Sequence, residues 1–199
     1  AKVPVLLMMG TEGIAVGMST RILPHNFIEL LEAQVKILRK KDFEVFPDFL
    51  QGGLIDVSEY NEGRGRVKIR AKIDIVDNKK LIIKEIPFST TTSSLISSIE
   101  AAVQKNKVSI SSINDFTTDK VEIELITSRG ISSEDVLPQL YAYTDCEVSV
   151  VSNILVIRNN RPVELSVSEY LREFTVQLQK QIKAELEHEL TNLEDRRHW

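Results

Sequence analysis

The sequence predicts an α+β fold, with a mixed or antiparallel sheet and a long terminal helix, on three observations. Residues 66–76 alternate without a break, with Val67, Ile69, Ala71, Ile73 and Ile75 on one face and Arg66, Lys68, Arg70, Lys72 and Asp74 on the other. That is the period of a half-buried strand. The turn pairs Asp77-Asn78 and Asn159-Asn160 each separate two apolar runs, the mark of antiparallel hairpins. From Ser166 onward, Val167, Leu171, Phe174, Leu178, Ile182, Leu186, Leu190 and Leu193 recur at steps of three or four, one apolar stripe along an amphipathic helix. Hairpins interrupted by helices make this order α+β rather than a doubly wound sheet.

In chain order, Val5 to Met9 is expected as a short apolar strand or buried segment running into Gly10, Gly13 and Gly17. Asn26 caps a helix carrying Phe27, Leu30, Leu31, Gln34, Ile37 and Leu38, with Glu29 three residues after the cap. Phe46-Pro47-Asp48-Phe49 and Gly52-Gly53 mark an irregular connection before the strand over 66–76. Leu81 to Ile86 is its return strand, ended by Pro87. Ser89–Ser94 opens a helix bearing Leu95, Ile96, Ile99 and Val103. Strands are expected near Val121–Ile126 and Cys146–Val151, with a helix around Glu134–Tyr143 between them. Ile154–Arg158 and Pro162–Leu165 form a hairpin before the last helix, which Ser166 and Glu169 open with a capping-box pattern. A stripe this narrow fits a coiled coil, and equally a core-facing helix.

Composition narrows the function. Of 199 residues, 42% are apolar and 27% charged, which argues against disorder. No apolar run approaches the roughly 20 residues of a membrane-spanning helix, and no signal peptide is legible, so a cytoplasmic location and no membrane partner are expected. The lone Cys146 excludes an internal disulfide and a multi-cysteine zinc site, and His25, His188 and His198 are scattered, so no metal is expected. The net charge of −4 disfavours a nucleic-acid partner until the chain is divided. Residues 1–88 hold 14 Lys and Arg against 12 Asp and Glu, whereas 89–199 hold 11 against 17. Charge acts within about 10 Å at ordinary salt, so a local basic patch can serve DNA on an acidic chain. A start at Ala1 without methionine, and no helix-ending Gly or Pro before Trp199, are expected of an internal segment.

Two features carry candidate chemistry. Gly10, Gly13 and Gly17 match neither the dinucleotide fingerprint nor a phosphate loop. They allow close backbone approach and present Ile14 between two glycines, or they simply form a tight turn into a buried strand. The second is the row Arg64, Arg66, Lys68, Arg70 and Lys72, without an acid between Glu62 and Asp74. On one strand it would run for roughly 27 Å. If all five cations neutralised phosphates, log K would fall against log salt with a slope of roughly −4.5. The competing reading is a solvated strand face or a charged edge. Tyr141 and Tyr143, at the end of an apolar helix, read as core packing rather than nucleophiles, His25 as a helix-start hydrogen-bonding residue and Cys146 as buried and inert.

Leu6-Leu7-Met8-Met9-Gly10-Thr11-Glu12-Gly13-Ile14-Ala15-Val16-Gly17-Met18 followed by Pro24-His25-Asn26 resembles the A subunits of bacterial type IIA DNA topoisomerases, whose signature runs Leu-Leu-x-Asn-Gly-x-x-Gly-Ile-Ala-Val-Gly-Met, then Pro-Pro-His-Asn. Pro47-Asp48-Phe49, Gly63-Arg64-Gly65-Arg66-Val67 with Arg70-Ala71, Glu85-Ile86-Pro87, and Leu95-Ile96 with Ile99 follow in the family's order, so the resemblance spans essentially the whole chain. Met9 stands where the family usually has Asn, Leu23 where it has Pro, and Arg21 where Asn is common. Phe88-Ser89-Thr90-Thr91-Thr92 departs from the gyrase-like Tyr-Gln-x-Asn-Lys. With Thr144-Asp145-Cys146-Glu147-Val148, this is more similar to topoisomerase IV A subunits than to gyrase.

The resemblance implies a segment just after a winged-helix domain: a DNA-facing piece over 1–26, a tower domain over 27–165 and the start of a coiled-coil arm over 166–199. It implies an ATP-dependent enzyme that cuts one duplex, passes a second through it and reseals the first. It places the nucleophilic tyrosine in an upstream Arg-Tyr-Thr motif absent from this sequence, so no residue here is expected to be catalytic. Magnesium and ATP would sit on a partner B subunit, within an A2B2 complex built on a homodimer of A subunits. Ile14 matches the family's DNA-intercalating isoleucine, and the expected DNA-binding set is Ile14, Arg21, Arg64, Arg66, Lys68, Arg70 and Lys72. A non-catalytic nucleic-acid-binding module and a dimerisation scaffold are the rival readings.

Overall fold

The computed structural model describes residues 2–198, without the side chain of His198. The terminal positions Ala1 and Trp199, on which the internal-segment expectation partly rests, lie outside the described residues. The fold is α+β, and every strand pairing among the described residues is antiparallel. The chain gathers into two compact units, one formed by residues 1–47, 61–64 and 152–199, the other by 48–60 and 65–151.

The first unit opens on helix α1 (Val5–Met9). Of the expected strand or buried segment, the strand is corrected to a helix and burial holds only at Leu7. Pro4, with φ −75°, supplies the carbonyl for the Leu7 and Met8 amides, which starts a helical turn, and only Leu7 is fully buried. Gly10, at φ 68°, ends the turn in a conformation that disfavours any side chain. Strands β1 (Thr11–Ala15) and β2 (Met18–Ile22) then form a tight hairpin. Helix α2 (Phe27–Leu38) is capped as expected by Asn26, whose side chain accepts from the Ile28 amide at 2.9 Å. Its buried face is Leu30, Ala33 and Gln34, so Phe27, Leu31 and Leu38 lie outward, against expectation. Hairpin β10 (Leu155–Arg158) and β11 (Arg161–Glu164) turns on Asn159 and Asn160, both at positive φ.

Helix α5 (Val167–His198) begins at the expected capping box, with Ser166 N donating to Glu169 at 2.7 Å and Glu169 N to Ser166 Oγ at 3.1 Å. The apolar stripe divides along its length. Val167 and Leu171 are buried in the unit, where Gln34 of α2 donates to Thr175, whereas Ile182, Leu186, Leu190 and Leu193 are exposed.

The second unit holds two sheets. The larger runs β5 (Lys72–Asp77), β6 (Lys80–Glu85), β8 (Ile123–Thr127), β7 (Ile110–Asp115). Helices α3 (Thr92–Gln104) and α4 (Ser133–Tyr143) cover it, and Leu81, Ile83, Leu95, Ile99, Ile123, Leu125, Val136 and Leu140 form one core. The smaller runs β3 (Leu54–Asp56), β4 (Arg66–Arg70), β9 (Glu147–Val151). Strands β3 and β7 escape sequence reading. The first is three residues beside two glycines, and the second breaks its alternation at a bulge between Ile110 and Ser112.

The strand expected over 66–76 is two strands in two sheets. Its apolar alternation is continuous, but its hydrogen-bonding partner changes at Ala71. The Ala71 amide donates to the Cys146 carbonyl at 2.7 Å, and its carbonyl accepts from the Tyr141 hydroxyl at 3.0 Å. Tyr141 is therefore half-buried and satisfied, but Tyr143 is exposed rather than in the core. No helix is long and apolar enough to cross a membrane.

Candidate nucleic-acid interface

Ile14 lies on β1, whose side chains are mostly exposed, two residues before the β1–β2 turn begins. The turn is Val16-Gly17, and Gly17 takes φ 75°, a conformation that costs other residues strain. The expectation of a tight turn into a buried strand is thus half met: the turn is there, and the strand faces outward. Ile14 is 85% exposed. Val16, at 100%, and Met18, at 47%, are exposed beside it, so this short hairpin carries three outward apolar side chains close together. Between this hairpin and β10–β11 lies an apolar cleft of about 330 Å³ lined by Ile14, Met18, Leu155, Ile157 and Pro162.

Arg21, on β2, donates to Glu12 on β1 at 2.9 Å, a pairing across the hairpin. Its cation is on the same hairpin as Ile14, but it is shared with a carboxylate.

The basic row does not form one 27 Å stripe. Arg64 belongs to the first unit and the other four to the second, where Arg66, Lys68 and Arg70 share the outward face of β4 and Lys72 starts β5 in another sheet. Acids distant in sequence also join it. Arg64 donates to Glu169 at 2.6 Å, Arg70 Nε to Glu147 on the neighbouring β9, and Lys72 to Glu85 at 3.4 Å. The Glu147 hydrogen bond holds the Arg70 guanidinium pKa above its ordinary value, although burial opposes it. Glu85 is held below the usual carboxylate range, chiefly because it accepts the Gly53 amide at 2.6 Å and secondarily through Lys72. Arg66 and Lys68 have no ion pair among the described residues; Lys68 only helps, with Arg70, to lower Asp56, whose main cause is the Ser58 amide.

His25 is buried, with its amide donating to the Leu7 carbonyl at 2.9 Å and Nδ1 3.3 Å from the same oxygen, so it fastens α1 to the start of α2. Cys146 is buried, and burial pushes its thiol up to about 11. Among the described residues no group of three or more His, Cys, Asp or Glu side chains comes together to hold a metal.

Sequence reading missed the residues that support these positions. Glu147 and Glu169 balance cations 77 and 105 residues away, and Asn153 contacts the Ile14 hairpin from 134 residues away. No local motif announces such pairs.

The model of the DNA gyrase/topoisomerase IV family of A subunits matches residues 1–199. The DNA topoisomerase 4 A subunit of Borreliella burgdorferi is 47% identical over 187 residues, covering 94% of this chain and 30% of that protein. The DNA gyrase A subunit of Lawsonia intracellularis is 35% identical over 216 aligned positions, covering 99% of this chain and 26% of its own length. The DNA gyrase A subunit of Chlamydia pneumoniae is 34% identical, with 100% and 26% covered. The chain therefore spans less than a third of the length of the curated relatives it matches. With its whole length inside one family model and an exposed Ile14 on a glycine-framed hairpin, the chain belongs to the DNA gyrase/topoisomerase IV family of A subunits.

Proposed function

We propose that this chain is the part of a type IIA topoisomerase A subunit that holds and bends the duplex to be cut. The observation that carries the reading is Ile14, an exposed branched apolar side chain on a two-stranded hairpin. Such a wedge enters a base step, unstacks it and kinks the duplex. Unstacking costs about a few kcal/mol and is recovered through the phosphate contacts that a bent duplex permits.

Arg66 and Lys68, which make no ion pair among the described residues, are the first phosphate partners in this reading; Arg21, Arg64, Arg70 and Lys72 contribute where DNA displaces their acids. Two contacts predict a salt slope of about −1.8 from this row rather than about −4.5. None of these side chains is a nucleophile, so breakage and resealing belong to residues elsewhere in the parent enzyme. ATP and magnesium belong to a partner B subunit, in an A2B2 complex whose A subunits pair. Higher identity to the topoisomerase 4 relative than to the gyrase relatives supports a topoisomerase IV A subunit, which decatenates and relaxes DNA.

The test uses the full-length A chain with its B partner, ATP and magnesium on catenated and supercoiled circles. Linking-number changes in steps of two, or separated circles, are expected. Decatenation without introduced negative supercoils identifies the topoisomerase IV activity, and introduced supercoils identify gyrase. If neither substrate changes while the B partner hydrolyses ATP, the strand-passage reading fails and a DNA-binding module remains. Within the active enzyme, Ile14→Ala is expected to keep the fold and lose DNA bending and cleavage; an unchanged bend angle removes Ile14 from the mechanism.

A further inference from the structure

A two-stranded hairpin is marginal by itself in water. The β1–β2 hairpin buries little: all of β1 and most of β2 are exposed or half-exposed, and only Ile22 at its end is in the core. A wedge pressed into a base stack must nevertheless resist being pushed back. Its rigidity therefore comes from hydrogen bonding, and those bonds converge on one segment.

Ser152, Asn153 and Leu155 together make six hydrogen bonds to three consecutive β2 residues. Arg21 and Asn153 exchange backbone bonds, both at 2.9 Å. The Thr20 hydroxyl donates to the Asn153 carbonyl at 3.0 Å and accepts from the Leu155 amide at 3.2 Å. Ser152 Oγ donates to the Arg21 carbonyl at 3.2 Å. Asn153 Nδ2 donates to the Ser19 carbonyl at 3.0 Å, and Ser19 is the residue paired directly with Ile14 across the hairpin.

The bond to Ser19 requires a donor at 153, which the side-chain amide supplies. Its Oδ1 is buried without a hydrogen-bond partner among the described residues, a condition that native structures rarely tolerate. Turning the amide over would set Oδ1 against the Ser19 carbonyl, two acceptors face to face. The donor half of the side chain is therefore the half that holds β2. We infer that Asn153, with the Thr20 hydroxyl, is a positioning residue that locks the strand opposite Ile14 and so, granted the wedge role proposed for Ile14, holds the wedge at the angle that enters DNA.

Two readouts separate the brace from the wedge, both in the complete enzyme of full-length A and B chains. The first is a nitroxide on Val16→Cys, at the fully exposed hairpin turn, read without DNA. The second is the bent fraction of an end-labelled duplex, read by energy transfer. Asn153→Ala is expected to raise nitroxide mobility and to cut the bent fraction about fivefold, the effect of one lost hydrogen bond, and Thr20→Val, which loses two, to do both more strongly. The salt slope of DNA binding should not move, and Thr20→Ser should restore both readouts. Thr20→Val carries the test if Asn153→Ala does not fold. Unchanged mobility and unchanged bending in Thr20→Val and any folded Asn153→Ala overturn the brace, whatever Ile14 does. If Ile14→Ala bends DNA fully while the brace variants free the nitroxide, the wedge reading fails and the role assigned to Asn153 in DNA bending fails with it.

Discussion

Arg70 on β4 is tied through Nε to the carboxylate of Glu147 on β9, and the two residues are direct register partners across the sheet. One of the three cations on the outward face of β4 is therefore already neutralised within the protein. Glu147→Gln should release it. In the complete enzyme that variant is expected to bind duplex DNA more tightly at low salt and to steepen the log K against log salt slope by about 1. Affinity and slope measured between low and moderate salt check this; an unchanged slope would show that Arg70 does not face phosphate even when free.

The divided stripe of α5 sets a second contrast. Leu171 is wholly buried in the first unit and Leu190 is exposed. Leu171→Ala should cost about 2–5 kcal/mol of stability. Leu190→Ala should stay within about 0.5 kcal/mol in the same chain unless a partner helix covers it. Denaturant unfolding of both variants, at two protein concentrations, reads the difference and any dependence on association.

Gly10 and Gly17 both take positive φ, but their surroundings differ. A Cβ at Gly10 would stand 2.6 Å from the Ile22 carbonyl oxygen and 2.9 Å from Pro24 N, both backbone atoms, whereas one at Gly17 meets nothing within 4 Å. Gly17→Ala is expected to cost the strained φ alone, about 1–3 kcal/mol. Gly10→Ala should cost distinctly more, and comparison of their unfolding midpoints tests it.

Cys146 gives a pH dependence with a definite sign. Burial pushes its thiol up to about 11, while an unfolded chain releases the same proton near about 8.5. The unfolded state holds fewer protons between those values, so this contribution to stability is intact below about pH 8.5 and is lost as pH rises toward 11. Cys146→Ala should flatten that decline, and thiol labelling of the native chain at pH 8 should proceed only as fast as the unit opens.

Where the physics is local, the sequence was readable. Asn26 and Ser166 are expected helix starts because a cap bonds to amides two or three residues away, and both make those bonds. Asn159-Asn160 is readable for the same reason: two positive φ values at adjacent residues suit asparagine. The 66–76 strand shows the limit. Alternation reports which face is buried, not which neighbour is paired, so the change of sheet at Ala71 leaves no trace in the pattern. The basic row misled in the same way, because its balancing Glu147 and Glu169 come from far along the chain. For the candidate site, the glycines and Ile14 stood out in one short segment, while Asn153 carried no mark until its 134-residue separation from Ser19 was closed.

The junction at Ala71 also sets how the second unit comes apart. One covalent ribbon serves as an inner strand of the smaller sheet and an edge strand of the larger, with its amide and its carbonyl both clamped where it crosses. Neither sheet can open at that seam without releasing the bonds to Cys146 and Tyr141. The two sheets should behave as a single cooperative block in hydrogen exchange, with the Ala71 amide among the last to exchange and β4 and β5 losing protection together.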